Sequence, residues 1–261
     1  MIEYVKLFLP KSKKEVKIEI SLPRYYDKNT LFDSIYFLDG QNAFKDSHAA
    51  FNRAIRATKY MGYMASITNH KILGIAIHNA GSDMGRINEY TPFKITNAAS
   101  PEWKKQDIQI CHNFCDDLVH VIIPYIEQRY TTSSNRYIYG SSLAAITAIY
   151  LGYAYDVFKG IGAFSTASFL CEKEMDDFLN KNLDIEKKLF LYVGKKESSD
   201  GSYDSKLYYN TSLELYHKLK DKHANVRLVV SDSGIHNEAT WENQLLDFFS
   251  FMYFDNIIYR S

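Results

Sequence analysis

The sequence predicts an α/β fold in which helices cover both faces of one mainly parallel sheet. This is a three-layer αβα sandwich with an antiparallel strand pair at its N-terminal end. Two observations carry the expectation. Short apolar runs ending in Gly, Asn or Ser recur along the chain, and stretches of helical period separate them. No linker rich in Gly, Pro or Ser, no low-complexity tract and no internal repeat breaks the alternation, so residues 1–261 are expected to form a single domain.

Taken in order, residues 3–9 and "EVKIEISLP" (15–23) form the antiparallel pair. The second alternates with period two and stops at Pro23, as a half-exposed strand does. "DSIYFLDG" (33–40) and "KILGIAIHNA" (71–80) read as buried parallel strands. "NRYIYG" (135–140), "KGIGAFS" (159–165), "KKLFLYVG" (187–194) and "NVRLVVS" (225–231) read the same way. Helical periodicity marks 51–66, 103–130, 142–155, 205–222 and 238–254. The stretch 81–102 is the longest without a period and is expected to be a loop, where function often resides.

Composition narrows the function. Lys plus Arg and Asp plus Glu number 31 each, and no like-charge run extends far beyond "PKSKKEVK". A nucleic-acid surface needs a clustered basic face, so the expected partner is a small molecule. The N-terminal residues lack the pattern of a secretory signal, and no window approaches the roughly 18 apolar residues of a membrane span. Cys111, Cys115 and Cys171 are too few for a disulfide framework, which points to a reducing, cytoplasmic setting. Cys111 and Cys115 lie one helical turn apart with His112 and His120 nearby, but no set of four ligands is completed. They read as small apolar groups, so no metal and no cofactor is expected; no G-x-G-x-x-G or P-loop pattern is present either.

The chemistry concentrates at "RYIYGSSLAA" (136–145), where an apolar strand runs into two serines and then a helix. In open parallel sheets ligands bind at the carboxyl ends of strands. Gly140-Ser141-Ser142-Leu143-Ala144 matches G-x-S-x-G except that Ala144 replaces the last glycine. A serine projected from so sharp a turn needs small residues two before and two after it, which makes Ser142 the reachable hydroxyl. The competing role is a helix N-cap. A nucleophilic serine needs a base, and the base an orienting carboxylate. Of His48, His70, His78, His112, His120, His217, His223 and His236, only His236 follows the last strand and precedes the final helix. His78 ends a strand at the correct edge and is a candidate pocket residue. The carboxylate is expected after "LFLYVG", where Glu197, Asp200 and Asp204 share one loop.

The segments "SIYFLDGQNAF" (34–44), "RINEYTPF" (86–93), "VIIPYIEQRY" (121–130), "YIYGSSLAA" (137–145), "FKGIGAFSTASF" (158–169), "LYVGKKE" (191–197) and "GIHNEATW" (234–241) follow one another in a familiar order. The chain resembles the esterase D and enterochelin esterase-like branch of the α/β-hydrolases, related to feruloyl and acetyl xylan esterases, over about residues 15–254. The resemblance implies an α/β-hydrolase fold and a serine esterase with Ser142 as nucleophile, His236 as base and Glu197 as acid. It further implies an oxyanion hole of the Leu143 and Gln41 backbone N–H groups. Arg86, Glu89 and Tyr90 either bind substrate or hold their loop, and Trp241 is expected to pack the final helix. The expected substrates are small acyl or aryl esters, sugar-linked acyl groups among them. The runner-up readings are a siderophore trilactone esterase and a non-catalytic binding protein on the same scaffold.

Overall fold

The computed structural model describes residues 1–23, 26–27, 29–98, 100–198, 204–222 and 224–254. Eight strands form one sheet: β1 (Ile2–Leu9), β2 (Lys14–Ser21), β3 (Phe32–Phe37), β4 (Ile72–Ile77), β5 (Thr132–Ser141), β6 (Gly160–Phe164), β7 (Lys188–Gly194) and β8 (Val226–Ser231). Their order is β1-β2-β4-β3-β5-β6-β7-β8. β1–β2 and β2–β4 pair antiparallel, and every other neighbour is parallel. This is the predicted sheet with the predicted N-terminal pair.

The helices are α1 (Ala57–Ile67), α2 (Asp83–Tyr90), α3 (Ile108–Asp117), α4 (Ile123–Glu127), α5 (Leu143–Ala154), α6 (Glu172–Asn182), α7 (Ser205–Asp221), α8 (Glu238–Glu242) and α9 (Leu245–Tyr253). Period-two alternation sorts the strand side chains onto two faces. Phe190 and Tyr192 of β7 join Met61, Trp241, Phe248 and Phe249 in one apolar cluster. Leu189, Leu191 and Val193 of the same strand face the opposite cluster, with Ile146 and Ile149 of α5. The two clusters make three layers, and α5, buried on nearly every side, is the helix that follows the serine turn.

Four expectations about helices change. The stretch 81–102 contains α2, begun by Ser82, whose hydroxyl accepts the Gly85 N–H at 3.2 Å. Helix α6 was not anticipated. The region 103–130 is not uniform: a short turn at Trp103–Lys105 stands apart, and the helix from Ile108 to Glu127 widens into a π-helical turn at Leu118–Ile122 where α3 passes into α4. Pro124 has no N–H to donate to the preceding turn, so a regular helix cannot run through it. The final helix is likewise split, into α8 and α9. Among the described residues no helix is long and apolar enough to cross a membrane.

Candidate active site

The segments that follow β3, β4, β5 and β8 open on a cleft of about 850 Å³, lined among others by Gln41, Arg86, Ser142, His236, Glu238 and Trp241. Ser142 stands between β5 and α5 with φ 59° and ψ −122°, a backbone conformation costly for a residue with a Cβ. Three backbone hydrogen bonds fix it: its N–H donates to Phe164 O at 2.8 Å, and its carbonyl accepts the Ala145 N–H at 3.2 Å and the Ala167 N–H at 3.4 Å. The turn needs a small residue at 140, since a Cβ on Gly140 would lie 2.2 Å from the Ala144 carbonyl oxygen. Ala144 itself is completely buried, so its methyl is accommodated where the motif has glycine. The Ser142 side chain makes no cap hydrogen bond to α5, unlike an N-cap serine.

His236 and Glu197 meet across 39 residues of sequence, Nδ1 to Oε2, at 2.7 Å. Glu197 is buried. Its other oxygen, Oε1, accepts the Gly194 N–H at 2.6 Å and the Ser165 hydroxyl at 2.7 Å. The carboxylate is thus satisfied on both oxygens, as a buried charge must be. The imidazole packs between Tyr208, with ring centroids 4.8 Å apart, and Trp241, at 5.0 Å and 81°. Trp241 is more than packing for the last helix, because its Nε1–H donates to Ser165 Oγ at 2.8 Å. Of the rival carboxylates, Asp204 caps α7 by accepting the Lys206 N–H at 2.9 Å, and Asp200 lies outside the described residues, as does His223.

Leu143 opens α5, where its N–H has no carbonyl one turn back to receive it. Gln41 sits in the short turn Gly40–Asn42, ahead of that turn's first hydrogen bond, from Asn42 N–H to the Asp39 carbonyl. The turn lies tight against β4: a Cβ on Gly40 would come within 2.3 Å of the Ile77 nitrogen. Asp39, at φ 52° and buried, is the centre of its support. Its N–H donates to the Tyr90 hydroxyl at 2.9 Å, and its Oδ1 accepts from Asn79 Nδ2 at 2.7 Å. Arg86 binds both Asp39 oxygens, with Nη2 to Oδ2 at 2.6 Å. Burial disfavours the guanidinium charge, but the Asp39 carboxylate outweighs it and pushes the Arg86 pKa up.

Of the three residues singled out in the 86–90 segment, Arg86 lines the cleft. Glu89 and Tyr90 have no exposed surface, so they cannot touch a ligand in the cleft and instead tie the segment down. Glu89 pairs with Lys14 and accepts the Ala80 N–H at 2.7 Å. Sequence reasoning missed Asp39, Ser165 and Glu238. Glu238 is buried at the cleft wall, accepts from Asn42 Nδ2 at 2.8 Å, and has its pKa raised chiefly by burial. His78 does line the cleft, and both it and His48 donate to the buried Glu19, at 3.0 and 2.8 Å. Among the described residues no cluster of three or more His, Cys, Asp or Glu is arranged to hold a metal ion.

A family model described as "Putative esterase" matches residues 10–252. Several solved structures share the fold. An IroE-like serine hydrolase from Shewanella oneidensis is 18% identical, with a TM-score of 0.77 over 95% of this chain and 78% of that one. The BES protein from Bacillus cereus is 22% identical, with a TM-score of 0.72 over 96% of this chain and 94% of that one. A siderophore hydrolase, EstB from Aspergillus nidulans, is 15% identical, with a TM-score of 0.72 over 99% and 97%. No curated protein matches the chain at a significant level. At these identities the structural likeness speaks for the fold, and the family match, which spans nearly the whole chain, speaks for the activity. The chain belongs to this esterase family and is a carboxylic ester hydrolase on an α/β-hydrolase fold.

Proposed function

We propose that ester cleavage runs through an acyl-enzyme on Ser142, with His236 as general base and Glu197 as the carboxylate that orients it. The observation that carries this reading is the Glu197–His236 hydrogen bond of 2.7 Å at the wall of the cleft that Ser142 lines from a strained turn. With Nδ1 donating to Glu197, the base presents its unprotonated Nε2 for the Ser142 hydroxyl. Ser142 Oγ adds to the ester carbonyl as His236 takes its proton. The N–H groups of Gln41 and Leu143 receive the negative charge that develops on the carbonyl oxygen. The tetrahedral adduct collapses as His236 returns the proton to the departing alkoxide. Water, deprotonated by the same imidazole, then releases the acid and restores Ser142.

Small acyl or aryl esters suit the cleft. Phe51 is 78% exposed at its rim, an apolar surface that a substrate's acyl or aryl part would cover. Of the Lys and Arg side chains along the wall, Arg86 is paired with Asp39 and Lys14 with Glu89, so Lys17 alone is left to meet a ligand's charge among the described residues. This favours uncharged esters over a polyanionic ferric siderophore. Zero net charge supports a small-molecule partner rather than nucleic acid. Three buried free thiols support a cytoplasmic setting. One sheet containing all eight strands supports reading residues 1–261 as a single domain. The test is labelling with a fluorophosphonate followed by peptide mass analysis. An adduct on Ser142 is expected; an adduct elsewhere, or none, would overturn the mechanism.

A further inference from the structure

The side chains behind His236 form a closed ring of contacts. Trp241 Nε1–H donates to Ser165 Oγ at 2.8 Å, and Ser165 Oγ donates to Glu197 Oε1 at 2.7 Å. Glu197 Oε2 accepts from His236 Nδ1 at 2.7 Å, and the Trp241 ring returns edge-on to the imidazole at 5.0 Å. Ser165, Glu197 and Trp241 are all buried, so water does not compete for these groups.

The polarity of the chain follows from the chemistry of its members. An indole N–H can only donate, so Ser165 Oγ must accept from Trp241. A hydroxyl has one hydrogen, and with its oxygen facing the indole that hydrogen is directed at Glu197 Oε1. Oε1 also accepts the Gly194 N–H, which leaves it facing two donors. A proton on that oxygen would meet both of them. A proton on Oε2 would meet His236 Nδ1–H. The arrangement therefore makes Glu197 the acceptor on both oxygens and places the His236 proton on Nδ1. Ser165 is held for this task at φ 46°, in the left-handed region, by its own N–H donating to Tyr192 O at 2.7 Å.

We infer that Ser165 and Trp241 are positioning residues of the hydrolytic reaction, acting as one unit that holds the Glu197 carboxylate in place and, through it, sets the tautomer and ring plane of His236. Neither needs to touch substrate. The inference rests on the reading of Ser142, His236 and Glu197 as the catalytic set.

The experiment compares wild type, Ser165→Gly, Trp241→Phe and the double variant, with p-nitrophenyl acetate as the probe ester. Glycine suits the left-handed backbone at 165, and phenylalanine keeps an aromatic ring beside His236 while removing the N–H. Each single variant should lose about tenfold in kcat with KM within about twofold, as expected for removing a hydrogen bond to a charged group. The double variant should lose little more than Ser165→Gly alone, because the indole acts through the hydroxyl. The far-downfield proton resonance of His236 Nδ1 should shift in both single variants. Additive losses in the double variant, wild-type kcat in both single variants, or an unmoved resonance would overturn the inference. If Ser165→Gly does not fold, the resonance and kcat of Trp241→Phe decide. Fluorophosphonate labelling separates the two levels. No adduct on Ser142 in the wild type defeats the catalytic reading, whereas equal labelling rates in wild type and variants defeat this inference alone.

Discussion

Arg86 grips both carboxylate oxygens of Asp39, with Nε at 3.0 Å from Oδ1 and Nη2 at 2.6 Å from Oδ2, directly before the turn that carries Gln41. A planar guanidinium matches a carboxylate through two parallel bonds, which a single ammonium cannot do. The pair therefore fixes the left-handed Asp39 and, through it, the direction of the Gln41 N–H.

Arg86→Lys is expected to lower kcat more than it raises KM, by about tenfold to a hundredfold, if the Gln41 N–H is part of the proposed oxyanion hole. Arg86→Ala leaves the buried Asp39 charge with Asn79 and no cation, and should also cost about 3 kcal/mol of stability. Steady-state kinetics and thermal unfolding check the two effects. A variant with a raised KM and an intact kcat would show Arg86 to be a ligand for substrate instead.

The adjacent serines provide a second prediction. Ser141 ends β5 and is buried, while Ser142 occupies the strained turn. Ser142→Ala should lose on the order of 10⁴-fold or more in kcat, and Ser141→Ala should keep most activity. Equal losses in the two variants would place the nucleophile wrongly.

The sequence made the sheet readable because β6 and β7 pack on both faces and so appear as unbroken apolar runs, bounded by Gly and Ser. Helix α2 escaped because Asp83, Gly85 and Asn88 are poor helix formers, and Ser82 supplies a cap that only the folded chain reveals. Helix α6 carried a signal in Met175, Phe178 and Leu179, spaced three and four apart, but charged residues surround that narrow stripe. At the site, Ser142 and His236 could be proposed from the near match to G-x-S-x-G and from their places after a strand. Ser165 and Trp241 could not, since their link spans 76 residues and no local pattern announces a hydrogen bond of that range. Glu89 and Tyr90 show the opposite limit. Polar residues in an expected loop suggested ligand contact, yet both are buried and engaged with the protein's own groups.

A third prediction concerns pH. Glu19 is buried, which disfavours its charge, but hydrogen bonds and charge from His78 and His48 win and hold its pKa below the ordinary value of 4.5. A carboxylate whose folded pKa is depressed adds stability that is fully present above 4.5 and is lost as pH falls through the lower folded value. Melting temperature should therefore decline on acidification below about pH 4.5, and Glu19→Gln should flatten that part of the profile. A variant whose profile parallels that of the wild type would show that the cluster contributes nothing to acid sensitivity.

The fourth prediction tests the choice of Glu197 among the carboxylates of its loop. In Glu197→Gln the side-chain oxygen would remain with the Gly194 N–H and the Ser165 hydroxyl, both of which are donors. The amide nitrogen would then face His236 Nδ1 at the place where Oε2 now accepts. Two donors cannot share that contact, so the imidazole must move its proton to Nε2 or turn away. Either outcome removes the lone pair that Ser142 needs, and kcat should fall roughly 10²- to 10⁴-fold, with the fold intact by circular dichroism. Asp204→Asn provides the control. Its carboxylate caps α7 from an exposed position, and asparagine caps a helix about as well, so kcat should stay within about twofold of wild type. If Glu197→Gln kept wild-type kcat while Asp204→Asn lost it, the orienting carboxylate would have to be reassigned, whatever the hydrogen bond to His236.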